Sequence, residues 1–150
     1  MRMKVLTIVL MALFPMGALA MGFGGDEVAK ENPAVVNANS KAMDGDYKGA
    51  IGILKNVLAN DPENAEAWNI LGFSYRNTGA MDDAWDAYER ALAIDPNHQG
   101  AHEYLGEWYL IQGDVASARA QLAKLEALCP DGCMAQEKLA KSIAAATQGS

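Results

Sequence analysis

The side chains best suited to chemistry are two cysteines and two histidines. Cys129 and Cys133 flank Pro130-Asp131-Gly132, and His98 stands four residues before His102. Proline and glycine sit where a tight turn accepts them, so the two thiols can meet. Three chemistries are open to them. A structural disulfide comes first for an exported chain with an even cysteine count, and its short loop contributes about 2 kcal/mol by chain entropy. A redox pair draws on Cys133 at a helix start, where the dipole stabilises a thiolate; against it stand the three-residue spacing and the lack of a thioredoxin-like strand pattern. A metal site needs further ligands, and neither a histidine nor another cysteine is close by in sequence. His98 and His102 share a helix face but lack a third ligand, because Glu103 is offset by one residue. Both therefore read as structural. Asp82, Asp83, Asp86 and Glu89 read as a solvated helix face.

No nucleophile elbow, phosphate loop or zinc-protease helix occurs in the sequence. The chain reads as non-enzymatic, with no catalytic residues, no metal and no cofactor. Its composition is that of a folded domain, 51% hydrophobic and 21% charged, with a net charge of −7. That charge argues against nucleic acid as a partner.

The elements that position these residues begin after a leader. Arg2 and Lys4 precede an apolar run from Val5 to Phe14, then Pro15 and Ala18-Leu19-Ala20. This is the order of a secretory signal peptide over residues 1–20, cut after Ala20. A retained anchor is the alternative, disfavoured because Pro15, Gly17 and Gly22 interrupt the roughly 20 apolar residues that spanning requires. Cleavage leaves ten cations against nineteen anions, a charge of −9, and a protein in the periplasm or secreted, with no membrane contact. Residues 21–30, rich in glycine, form a flexible leader.

The rest is organised by a 34-residue period. Trp68, Leu71, Gly72, Tyr75, Ala84, Tyr88, Ala91 and Pro96 recur as His102, Leu105, Gly106, Tyr109, Ala118, Leu122, Leu125 and Pro130. They are preceded by Ala34, Asn37, Ala38, Lys41, Ala50, Leu54, Val57 and Pro62. Gly45, Gly79 and Gly113 fall in one register between two helical stretches, and Pro62, Pro96 and Pro130 interrupt helicity between copies. Met81, Ala84, Trp85, Tyr88, Ala91 and Leu92 form one apolar stripe. An isolated hairpin of this kind cannot bury its stripe, whereas a stack can.

The pattern resembles the tetratricopeptide repeat (TPR) family, with copies at 31–64, 65–98 and 99–132. The resemblance implies an all-α fold: a right-handed superhelical stack of about three helix hairpins, closed here by a capping helix within 133–150. That helix covers Met134 to Ala146, with Thr147 to Ser150 as a frayed tail. Asn37 and Lys41 replace apolar positions of the first copy and require its leading helix to face solvent.

The resemblance also implies a concave lane on the leading helices. By position it comprises Val35, Asn39, Ala42 and Met43, then Asn69, Phe73, Arg76 and Asn77, then Glu103, Glu107, Leu110 and Ile111. The asparagines suit an extended main chain, since each amide both donates and accepts. Phe73 and Leu110 suit an apolar side chain. Arg76 is the lone cation in this lane, which argues against a carboxylate clamp and for a neutral or basic protein segment, with acidic ones repelled by the third copy. The function implied is a non-catalytic adaptor, scaffold or assembly factor. The alternatives are a thiol-redox or metal-handling maturation factor using Cys129 and Cys133, and, for the partner, a second copy of the chain packed end to end.

Overall fold

The computed structural model describes residues 31–148. The signal peptide and the flexible leader expected from the sequence lie outside the described residues. Seven helices follow one another: α1 Pro33–Met43, α2 Tyr47–Asn60, α3 Ala65–Thr78, α4 Met81–Ile94, α5 Gln99–Ile111, α6 Val115–Leu128 and α7 Met134–Gln148. None of these is long and apolar enough to cross a membrane.

Local chemistry explains where most of them start. The side chains of Asn32, Asp46, Asn64, His98 and Asp114 each accept a backbone N–H from the first turn of the helix that follows. Each bond satisfies one of the donors that a helix start leaves open. Ala80, ahead of α4, makes no such bond; Asp82 and Asp83 in the first turn complement the dipole instead. The Trp108 indole of α5 also donates to the Met81 carbonyl at 2.8 Å, which ties the start of α4 to the next hairpin without satisfying its open N–H groups. Within the hairpins, Gly45, Gly79 and Gly113 turn the chain with φ of 86°, 83° and 79°, a region that side chains disfavour.

Helices pair as α1–α2, α3–α4 and α5–α6, and α7 lies against both α5 and α6. The odd-numbered helices also touch in sequence, α1 to α3, α3 to α5 and α5 to α7, and so form one continuous wall. Among the described residues, the backbones of the even-numbered helices stay apart from one another. This is the all-α stack of hairpins with a final capping helix that the repeat implied. Burial follows the stack. One apolar cluster centres on Leu54, Ile70 and Leu71, another on Ala84, Tyr88 and Leu105, and a third on Leu125, Leu139 and Ile143.

Close approach is set by small residues. A Cβ on Gly72 would stand 2.5 Å from the Tyr88 ring, and one on Gly106 would stand 2.5 Å from Leu139. Tyr88 and Leu139 therefore occupy notches that only glycine leaves open, joining α3 to α4 and α5 to α7.

Three details depart from the sequence reading. Trp85 belongs to the expected stripe of α4 but is 37% exposed, while Ala87 is buried in its place. The stripe is centred on Ala84, Ala87, Tyr88 and Ala91, which puts Trp85 at its edge. Thr147 and Gln148 continue α7 rather than fraying, with Thr147 Oγ1 donating to the Ile143 carbonyl at 3.0 Å. Within the lane, Val35 and Ala42 are core residues. Asn37 is exposed, and Lys41 pairs with Asp46 at 2.8 Å, so the first helix carries its polar substitutions toward solvent.

Candidate functional site

Two adjoining hollows lie along the odd-numbered wall. The first, about 350 Å³, is bounded by Asn39 and Met43 of α1, by Glu66, Asn69, Ile70 and Phe73 of α3, and by His98, Gly100 and Tyr104 at α5. The second, about 580 Å³, shares Met43, Phe73 and Tyr104 and adds Arg76, Glu103 and Glu107, with Lys138 and Lys141 from α7. Together they make a lane crossing four helices.

Its centre is aromatic. The Phe73 and Tyr104 rings lie 5.1 Å apart, with Tyr47 6.1 Å from Phe73 on one side and Tyr88 6.2 Å from Tyr104 on the other. The Arg76 guanidinium sits 5.7 Å from the Phe73 ring and 5.6 Å from the Tyr104 ring, in cation–π range of both. Burial, with Glu103 nearby, raises the pKa of the Tyr104 hydroxyl.

The charged groups differ between the two ends. Glu103 is only 8% exposed, and burial raises its pKa above the usual carboxylate range against the opposing pull of Lys138, 3.6 Å away. At the other end His98 caps α5 through Nδ1, which accepts the Ala101 N–H at 3.1 Å, and its Nε2 meets Glu66 at 2.8 Å. Burial disfavours the charged ring, but the hydrogen bond and charge of Glu66 outweigh it, and the His98 pKa is raised. Asn69 is 4% exposed; its Nδ2 approaches Glu66 at 3.5 Å, and its Oδ1 is buried without a partner among the described residues.

The structure distributes the expected site residues unevenly. Asn39, Asn69 and Phe73 line the first hollow, and Phe73, Arg76, Glu103 and Glu107 line the second. Asn77 lines neither hollow and donates its amide to the Phe73 carbonyl at 2.8 Å. Leu110 also lies outside both, packed against the cluster of Leu125, Leu139 and Ile143. Arg76 is joined by two further cations, Lys138 and Lys141, because α7 completes the wall. Tyr104, Glu66 and the two lysines escaped the sequence reading, and His98 was read there only as a structural residue. The signal was the repeat register itself: Ile70, Tyr104 and Lys138 stand 34 residues apart, as do Phe73, Glu107 and Lys141.

His102 is not a ligand. Its Nε2 meets the Pro96 carbonyl at 2.9 Å and its Nδ1 meets Gln121 at 2.7 Å, inside the stack. Cys129 and Cys133 form a disulfide that bridges the end of α6 and the start of α7. Among the described residues, no three His, Cys, Asp or Glu side chains gather in a way that would hold a metal ion.

Comparison with known proteins agrees with this architecture. The chain is 36% identical over 77 residues to protein O-mannosyl-transferase TMTC1 of Mus musculus, a match covering 51% of this chain and 8% of that protein. It is 32% identical over 89 residues to the peroxisomal targeting signal receptor of Candida albicans, covering 50% and 15%. The chain thus spans a small fraction of the length of these curated relatives. Among solved structures, the type III secretion chaperone SycD of Yersinia enterocolitica, in complex with a peptide of the translocator YopD, superposes with a TM-score of 0.67 at 18% identity, covering 78% of this chain and 92% of that one. The TPR2B domain of yeast Sti1 in a pHsp70 complex gives a TM-score of 0.70 at 17% identity, covering 79% and 96%. The family model for the tetratricopeptide repeat matches residues 36–99 and 86–132. With that match over most of the described helices, the chain belongs to the tetratricopeptide repeat family.

Proposed function

We propose that this protein is a non-catalytic interaction module that holds an extended segment of a partner protein along the wall formed by α1, α3, α5 and α7. The observation that carries the reading is the paired hollow over Phe73 and Tyr104, an apolar centre with charged groups at both ends. Such a surface offers an anchor for an apolar side chain and polar groups that fix orientation. SycD bound to a peptide of YopD and Sti1 bound to pHsp70 share this fold and support the same use here.

The partner segment is neutral or basic. Glu66 faces one hollow, and an acidic protein draws basic partners from a distance. The site of action is the bacterial periplasm or the exterior, a reading supported by the order of residues 1–20 and by a disulfide, a bond that persists in oxidising compartments. The disulfide serves to tie the capping helix to the stack.

Capture of peptides from a random library by wild type and by the Phe73→Ala, Arg76→Ala double variant tests the reading. Loss of the captured set in a variant that keeps its helical circular dichroism is the expected result. An unchanged set removes this face from consideration.

A further inference from the structure

His98 stands where the preceding copy carries Asn64, 34 residues earlier, and each opens a leading helix. Asn64 Oδ1 accepts the Ala67 N–H at 2.9 Å, and His98 Nδ1 accepts the Ala101 N–H at 3.1 Å. The two caps differ in one respect. An amide oxygen accepts at every pH, whereas an imidazole nitrogen accepts only while it carries no proton. A backbone N–H can only donate, so the bond to Ala101 requires a bare Nδ1 and places the single ring proton on Nε2, 2.8 Å from Glu66 Oε2.

Glu66 pulls in the opposite direction. Burial resists charging the ring, but the hydrogen bond and charge of Glu66 outweigh it, Asp95 in the loop ahead of α5 adds to them, and the ring's pKa is raised. The second proton lands on Nδ1 and sets donor against donor at Ala101. Ring rotation offers no escape, because a half-turn about the Cβ–Cγ bond puts carbons where both nitrogens stood and gives up the Glu66 bond as well. The side chain is 14% exposed, so water does little to shield the opposed donors. The remaining neighbours do not compensate: burial raises the pKa of the Tyr104 hydroxyl of α5, which stays neutral, and α1 brings Asn39 and Met43, which do not titrate. Charge and cap therefore exclude each other.

We propose that His98 is a proton-operated cap of α5: the neutral ring holds the Ala101 N–H, and the charged ring releases it in exchange for an ion pair with Glu66. The first hollow changes with it. The charged ring cancels the Glu66 carboxylate that the neutral ring leaves facing the lane, and Gly100, in the released turn, is part of the wall. A raised folded-state pKa means that the ring's contribution to stability is present below its unfolded pKa and is lost as pH rises through the folded one. Acid thus loosens the first turn of α5 without unfolding the stack. None of this requires a peptide in the lane.

The test measures backbone amide protection factors by NMR between pH 5 and pH 8, each corrected for the intrinsic pH dependence of exchange, with Ala67 as the internal reference. The His98 ring nitrogens report protonation in the same samples. Protection of Ala101 relative to Ala67 is expected to fall about fivefold on acidification, with the midpoint of the His98 titration. In His98→Asn, which installs the cap of the preceding copy, the ratio is expected to stay constant. In Glu66→Gln the midpoint is expected to move to lower pH. A ratio that ignores the His98 titration overturns the switch. So does one that still titrates in His98→Asn, since another group is then responsible. A proton found on Nδ1 at pH 8 also overturns it, because the cap is then absent from the start.

Discussion

Trp68 and His102 stand 34 residues apart and make equivalent bonds, each to the carbonyl of the proline six residues before it. The indole Nε1 of Trp68 donates to the Pro62 carbonyl at 2.8 Å, and the imidazole Nε2 of His102 meets the Pro96 carbonyl, 34 residues on from Pro62, at 2.9 Å. The replacement of tryptophan by histidine thus keeps the tie between each leading helix and the loop ahead of it, while Gln121 occupies the second ring nitrogen. Truncation by His102→Ala is expected to cost about 2–3 kcal/mol in urea unfolding. His102→Phe keeps much of the volume and loses the ring hydrogen bonds, for a cost of about 1 kcal/mol. No loss in His102→Phe would show that the bonds contribute nothing.

Tyr88 gives the opposite prediction. Its ring fills the Gly72 notch, yet its hydroxyl is buried with no partner among the described residues, and burial drives its pKa well above the usual phenol value. Removing an unpaired buried hydroxyl removes a desolvation cost. Tyr88→Phe is expected to leave stability unchanged or raise it by up to about 1 kcal/mol, read as Tm by circular dichroism.

Glu103 sets a pH dependence. Burial raises its pKa in the folded state, opposed by Lys138 and Arg76 and assisted by Glu107. A raised folded pKa means that the associated stability is present below the unfolded value and is lost as pH rises through the folded one. At neutral pH the buried charge is therefore a burden, and Glu103→Gln is expected to raise Tm. Below the ordinary carboxylate range the wild-type side chain is itself neutral, and the two Tm values should converge. A constant gap at every pH would contradict the assignment.

The disulfide stabilises through the unfolded chain. Cys129 and Cys133 close a loop with a sequence separation of four, for which loop entropy gives about 2 kcal/mol. Cys129→Ser with Cys133→Ser should lower stability by that amount. Local opening should concentrate at the start of α7, where hydrogen exchange of its first amides is expected to accelerate more than that of α3.

Much of this was legible in the sequence because the period of 34 is imposed by packing. Gly45, Gly79 and Gly113 mark turns through the one conformation that side chains avoid, and Pro62, Pro96 and Pro130 mark the intervals between copies. The departures have local causes. Trp85 satisfies the helical spacing of the α4 stripe but stands at its margin, a difference that periodicity alone does not resolve. Leu110 occupies a lane position by register, yet it packs half-buried against the cluster of Leu125, Leu139 and Ile143. Lys138 and Lys141 became part of the lane because α7 continues the row of leading helices, with Leu139 in register with Leu71 and Leu105. Asn69 Oδ1 was hidden for a different reason, since an unmet acceptor is a property of three-dimensional surroundings.

The bond from Trp108 to the Met81 carbonyl bears on how the chain folds. The start of α4 has no capping side chain of its own and is held by a residue 27 positions later, from the following hairpin. The second hairpin is therefore tied to the third through the start of α4. Unfolding of α5 deprives α4 of its anchor, so the two hairpins are expected to lose structure together, and denaturation should follow a single cooperative transition instead of peeling off one repeat at a time.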